Sequence, residues 1–529
     1  MLHTKRAYGG MVTAPHHLAA QAGSRVLQDG GNAIEAMVAA AATMTVVYPH
    51  MNALGGDNFW LIHQPGRDVT AIDACGAAAA TASIDFYNDT CGGVIPSRGP
   101  LAALTCAGAV SGWQNALRQS AAIGGKMPLS RLLEDAIHHA ENGVAVTNTL
   151  ANNIAAKQDE LADVPGFAPI YLPDGQPLSL GQRLRQPRIA ATLGQLASAG
   201  LDDFYRGDLA QAIAADLSRA GSPVTRDDLN SHHALDVAPL KLSVAGHDVF
   251  NMPPPTQGLA SLMLLGIYAR LGVEQAEGFD FIHGLLESTK QAFVVRDAHV
   301  TDPAYMPVEA QSFLADQVLD DMAAAIDPFT ASPWPRAAAK GDTCWLGAVD
   351  SSGCAVSFIQ SIYWEFGSGV VLEDTGITWQ NRGTSFSLDA AHHNALKPGR
   401  RPFHTIQPAL ARLSDGRVMP YGTMGGEGQP QTQAMIFARH VLHGQDLQAA
   451  ITAPRWLLGR TWGAETTSLR MEGRFESDVV AALDAAGHDP QMIGDYDEMM
   501  GHAGALVLHP DGLIEGASDP RCDGAALGF

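Results

Sequence analysis

Apolar residues recur at three- and four-residue spacing in Gln21–Gln28, Leu129–Asn142, Asp208–Ala220, Gln257–Leu271 and Phe279–Val295, which predicts helices with one buried stripe. Ile34–Tyr48 differs, being apolar nearly all round and rich in Ala. It predicts a helix packed on every side, too short to span a bilayer, with Gly30-Gly31-Asn32 supplying its turn and cap. Pro253-Pro254-Pro255 stops one segment and leads into the next helix. No repeat of solenoid length is present.

The texture changes near residue 328. Pro328–Asp342 (PFTASPWPRAAAKGD) carries prolines and small residues without periodicity, which predicts an irregular, movable connection. From Thr343 onward TCWLGAVD and CAVSFIQSIY read as strands flanking Asp350-Ser351-Ser352-Gly353, hence a hairpin. A helix over Thr432–Leu442 and strand–turn units over Leu410–Tyr421 and Ala505–Ala517 follow. Strands in runs with helices elsewhere predict layered sheets covered by helices, a mixed α/β architecture.

With Val349 facing Cys354 across the turn, Thr343 falls opposite Gln360 with Ser361 next to it, and a one-residue bulge brings Ser361 directly across. Thr343 therefore heads a strand, follows a Gly-Asp connection and has a hydroxyl neighbour. On propensity alone a β-branched residue opening an edge strand explains as much, and spacing does not decide between the two. Cys344 alternates to the opposite face and reads as core.

Composition narrows the choice of chemistry. The chain has 529 residues, 46% hydrophobic and 17% charged, enough for a large core and too long for one ordinary single-core domain. A net charge of −22 disfavours nucleic acid as partner and obliges any anionic substrate to find specific Arg or Lys residues. Six scattered cysteines without a C-x-x-C read as reduced thiols of a cytoplasmic protein. The first residues lack the apolar core of a secretory signal, so no signal peptide is expected, and with the one long apolar stretch too short to span a bilayer no membrane partner is expected either. The pairs His16-His17, His138-His139, His232-His233 and His392-His393 lack any metal-ligand spacing, so neither metal nor cofactor is expected.

The order of motifs along the chain resembles the γ-glutamyltransferase family. GMVTAPHHLAAQAGSRVLQDGGNAIEAMVAA and LGGDNFWLIH look like that family's opening. RGPLAALTCAGAVSGW, AIHHAENGVAV, FYRGDLA with TRDDL, PPPTQG and the closing GASDPR follow in the family's order. The resemblance implies an N-terminal nucleophile (Ntn) hydrolase, an αββα sandwich of two stacked antiparallel-rich sheets between helical layers. It also implies a precursor cut after Asp342 into a large subunit, residues 1–342, and a small one, residues 343–529, which stay together as one fold. Such heterodimers can pair again. Thr343 then becomes the nucleophile, and the cut gives it an α-amine of reference pKa about 7.7–8.0 to act as its base. Ser361 matches a hydroxyl that orients the nucleophile. Gly425-Gly426 match the pair whose N–H groups form the oxyanion hole, although alone such a pair marks only a turn.

Several positions depart from the family's pattern. Members acting on γ-glutamyl compounds hold the α-carboxylate with a large-subunit Arg and the α-amine with an amide and an acid. Here GAAAATASIDFY has no Arg, and WQNRGTSF places Arg382 and Ser385 where the amide and acid would stand. His404-Thr405 replace a pair of serines, and Tyr363 replaces an Asn. A guanidinium without an amine-binding acid points to a small anionic substrate lacking an α-amino group. The whole pattern most resembles members of the family that hydrolyse oxamate to oxalate and ammonia in purine nitrogen salvage, and that resemblance implies oxamate, a small anionic amide, as substrate. Arg382, with Arg98 as second candidate, would hold the carboxylate, while His404, Thr405, Ser385 and Tyr363 line the pocket. Arg382 in a structural ion pair is the competing reading. A γ-glutamyl hydrolase or acylase of the same fold, and a binding protein that never cuts itself, are the other functions the chain allows.

Overall fold

The computed structural model describes residues 2–334, 342–459 and 468–529, with Asp342 described by its backbone alone. Residues 335–341 of the expected movable connection lie outside the described residues.

The Ala-rich helix spans Ala33–Val47 with every residue buried, as its uniformly apolar surface requires. Asn32 caps it, accepting from Ile34 N and Glu35 N, while Glu35 reaches back to Asn32 N. The striped helices form at Leu129–Asn142 and Asp208–Ala220 as expected, and Phe279 starts one that runs on to His299. The helix expected over Thr432–Leu442 begins earlier, at Gly428, and ends at Phe437 before a π-helical turn over Ala438–Leu442.

Two seven-stranded sheets carry the molecule. One orders Ala525–Gly528, Gly10–Ala14, Asp342–Asp350, Ala355–Tyr363, Asp57–His63, Thr70–Ala74 and Leu235–Val237. The other orders Lys5–Ala7, Ile514–Ser518, Ala503–Leu508, Val418–Thr423, Ala409–Arg412, His247–Asn251 and Leu240–Val244. Both are antiparallel throughout, and both interleave strands from before and after residue 342. Met11, Phe59, Trp345, Ile359, Leu410 and Leu506 fill the space between the sheets. Helices 17–28 and 33–47 cover one outer face, and helices 258–270 and 279–299 cover the other. The result is the αββα sandwich expected of an Ntn hydrolase.

Alternation along Asp342–Asp350 sends Cys344, Leu346 and Ala348 into the helix-side core and Trp345 and Val349 between the sheets. Cys344 is core, as expected. The hairpin forms, but its register is one residue from the expected one: Val349 pairs with Ala355 and Cys344 with Gln360. The reason is the turn. Asp350 Oδ1 accepts from Ser352 N and Cys354 N, which folds Cys354 into the turn, and Asp350 Oδ2 accepts from Ala33 N at the helix start. Asp342 pairs with Tyr363, so the ladder is irregular at Thr343, and the register continued from Cys344 sets Ser361 across from it.

Candidate active site

Thr343 lies fully buried near the start of the central strand. Gln429 Nε2 donates to its Oγ1 at 3.3 Å. Gln429 is the second residue of helix Gly428–Phe437, directly after the Gly425-Gly426 turn.

Both turn glycines have positive φ, +116° and +55°, so the chain reverses there without a side chain in the way. Their carbonyls are engaged, Gly425 O by Gly428 N and Gly426 O by Gln257 Nε2. Among the described residues neither glycine's N–H meets a protein acceptor. Behind the turn, Gln257 Nε2 also donates to Thr405 O at 2.6 Å, and its Oε1 accepts from Arg296, which pairs with Glu427 at 2.6 Å. This buried network braces the Gly425–Gln429 segment.

Arg382 opens a short 3-10 turn, Arg382–Ser385. The residue before it is tied to the end of the strand bearing Ser361: Asn381 N donates to Ile362 O, and Asn381 Oδ1 accepts from Trp364 N. The Arg382 side chain is completely buried. Nη1 donates to Thr405 Oγ1 at 3.4 Å and Nη2 to Ser361 Oγ at 3.5 Å, and Nε has no partner among the described residues. The guanidinium stacks 4.0 Å above the Tyr363 ring. Tyr363 itself takes φ +82°, a left-handed conformation costly for an aromatic residue, with its N–H held by Ser361 Oγ at 2.8 Å.

Among the described residues Arg382 forms no ion pair within 4.0 Å of a carboxylate, although the charge of Asp57 acts on it. Burial draws its pKa down to about 10, only partly offset by Tyr363, Asp57 and Cys75. Burial likewise pushes Asp57 up to about 7 against the opposing charge of Arg382. Asp57 Oδ1 accepts from Gly76 N and Gly108 N, while Oδ2 lies 3.5 Å from His404 Nε2. His404 is fully buried and held neutral, its pKa well below the ordinary value through burial and then the charges of Arg382 and Arg401.

Thr343, Gly425 and Gly426 thus share one end of the sandwich through Gln429, and Ser361, Arg382, Thr405 and Tyr363 form one contact group. Three expected residues have partners of their own. His404 turns to Cys75 Sγ, 2.9 Å from its Nε2. Ser385 donates its hydroxyl to Phe403 O. Arg98 commits its donors to Glu160 and to the carbonyls of Glu365 and Gly367.

Asp57, Cys75 and His404 nevertheless bring three metal-type donors together. The 2.9 Å sulfur–nitrogen separation is that of a hydrogen bond, and the charge of Arg382 adds to the cost of a cation there. None of the adjacent His pairs contributes two ligands to such a group among the described residues. Asp57, Gln257, Gln429 and Cys75 stand at the site without being among the residues expected there. Asp57, Gln257 and Gln429 stand within or beside motifs that the sequence singles out, LGGDNFW, PPPTQG and GGEGQPQ.

A family model described as gamma-glutamyltranspeptidase matches residues 19–529. The chain is 54% identical over 521 residues to the oxamate amidohydrolase proenzyme of Klebsiella pneumoniae, covering 98% of each chain. It is 40% identical to a glutathione hydrolase-like proenzyme of Bacillus subtilis, again covering 98% of each. Among solved structures, cephalosporin acylase from Bacillus halodurans superimposes with a TM-score of 0.91 at 32% identity, over 100% of this chain and 97% of that one.

Proposed function

The chain belongs to the gamma-glutamyltranspeptidase family, and from that premise we propose a hydrolase of linear amide bonds that cuts itself between Asp342 and Thr343 and then cleaves oxamate to oxalate and ammonia. The large subunit is then Met1–Asp342 and the small one Thr343–Phe529. Sheets that interleave strands from both sides of the cut account for the two staying together.

One observation carries the substrate class: a fully buried guanidinium, Arg382, that meets no carboxylate among the described residues and sits against Ser361, across the ladder from Thr343. A buried guanidinium without a directly bonded carboxylate is costly, and an anionic substrate would supply that bond through two parallel hydrogen bonds. In this reading the carboxylate binds Arg382 and the adjacent amide carbon is presented to Thr343 Oγ. The freed α-amine takes the hydroxyl proton, and Oγ attacks. Gly425 and Gly426 N–H groups receive the oxyanion, a contribution of roughly 3–4 kcal/mol for one such donor. The amine returns the proton to departing ammonia, leaving an oxalyl ester that water hydrolyses by the same route. The 54% identity to an oxamate amidohydrolase proenzyme supports the same substrate. A nitrogen-releasing step of this kind suits purine salvage.

Purified chain assayed with oxamate and with a γ-glutamyl anilide tests this reading. Ammonia release from oxamate, little anilide turnover, and a small fragment beginning TCWLGAVD are expected, with Thr343→Ala uncut and inactive. Preference for the anilide rejects the substrate. A single full-length band from wild-type protein favours a binding role instead.

A further inference from the structure

We propose that Gln429 positions the Thr343 hydroxyl, both for scission of the chain and for attack on substrate; this rests on Thr343 being the nucleophile. Gln429 and Thr343 are both fully buried, and Nε2 donates to Oγ1 at 3.3 Å. The other end of the amide is fixed as well, because Oε1 accepts from Gln407 N at 3.2 Å. That second bond sets the orientation. A backbone N–H only donates, so rotating the amide by half a turn would set donor against donor at Gln407. The group facing Thr343 is therefore an N–H.

An N–H aimed at Oγ1 does two things. It holds the hydroxyl in one rotamer, and it stabilises negative charge as the proton leaves, when a long hydrogen bond shortens. The brace behind Gly425–Gln429, from Gln257 through Arg296 to Glu427, keeps the donor in place. Before the cut the nitrogen of Thr343 is part of a peptide bond and has no basicity. Gln429 offers a contact that does not depend on the cut, so it serves the precursor and the mature enzyme alike.

Full-length Gln429→Met and Gln429→Glu, with Thr343→Ala as control, test the assignment. Time courses of cutting on gels, kcat and KM for oxamate, thermal melts and pH profiles are the measurements. Gln429→Met should slow cutting and lower kcat about 10- to 100-fold, with KM within about threefold because Arg382 is untouched. Gln429→Glu loses the donor when ionised and regains one when protonated. Its relative kcat should therefore rise as pH falls, opposite to the parent, whose amine base loses activity in acid. If Gln429→Met does not fold, the isosteric Glu variant carries the test. Cutting and kcat within twofold of the parent in Gln429→Met, or a parental pH profile in Gln429→Glu, overturns the proposal. A Thr343→Ala chain that is still cut before residue 343 or hydrolyses oxamate overturns the nucleophile assignment instead.

Discussion

Replacing Arg382 by Met separates a substrate-binding arginine from a structural one. If the guanidinium awaits an anion, Arg382→Met leaves the substrate carboxylate buried without a partner, a loss of about 3–5 kcal/mol. That corresponds to roughly 150- to 5,000-fold in kcat/KM for oxamate. Most of it should appear in KM, since the carboxylate changes little between bound substrate and transition state. Folding should respond differently. The variant gives up two long hydrogen bonds and a stacking contact with Tyr363, worth about 0.5–2 kcal/mol for the latter. It also sheds a buried charge whose pKa is already drawn down to about 10. Exchanging a buried charge for an apolar side chain of similar volume is commonly neutral or stabilising. A Tm within roughly 3 °C of the parent is expected. The assay is ammonia release coupled to a dehydrogenase, alongside calorimetry. A variant that keeps kcat/KM for oxamate within threefold, or one that loses activity only because it unfolds, refutes the reasoning.

Two contrasting outcomes follow from the neighbouring charges. Arg98→Ala should leave KM for oxamate within about threefold, because its donors are spent on Glu160 and on backbone carbonyls; a loss of about 1–3 kcal/mol should appear in denaturant melts instead. Asp57 titrates near pH 7, burial having raised it and Arg382 partly restrained it. Below that pH its carboxyl is neutral and the field of Arg382 is strongest; above it a carboxylate opposes anion binding. KM for oxamate should therefore rise, by roughly 3- to 10-fold, as pH passes through 7, and Asp57→Asn, a neutral shape mimic, should flatten the change. The linkage to folding runs the same way. The folded state holds this proton up to about pH 7 and the unfolded chain only to about 3.9, so stability falls as pH rises between them, and the Asn variant should lose that slope in pH-resolved melts.

Much of this was legible in one dimension. Periodicity located the helices at Leu129–Asn142 and Asp208–Ala220 to the residue, because an amphipathic stripe is a local property. Asp350-Ser351-Ser352-Gly353 announced the hairpin, and a Thr heading its first strand drew attention to residue 343. The departures from the γ-glutamyl clamp singled out Arg382 through the family resemblance, against which the residue types at those positions stand out. The hairpin register was not legible, since Asp350 is also bound to Ala33 N, more than 300 residues away in sequence. Neither was the commitment of Arg98 to Glu160 and Glu365, nor the turning of His404 toward Cys75.

The sequence by itself determined which segments become helices and strands, where the chain changes texture, and which residue types are available for chemistry. Only the tertiary structure decided that Arg382 lies buried without a salt bridge among the described residues, that Gln429 reaches Thr343, and that the charges of Asp57 and the guanidinium act on each other. Helix stripes and turns are set by neighbours a few residues apart. Charge pairing and side-chain contact depend on how two sheets order their strands and press together, which brings into hydrogen-bonding range residues that the chain itself keeps far apart.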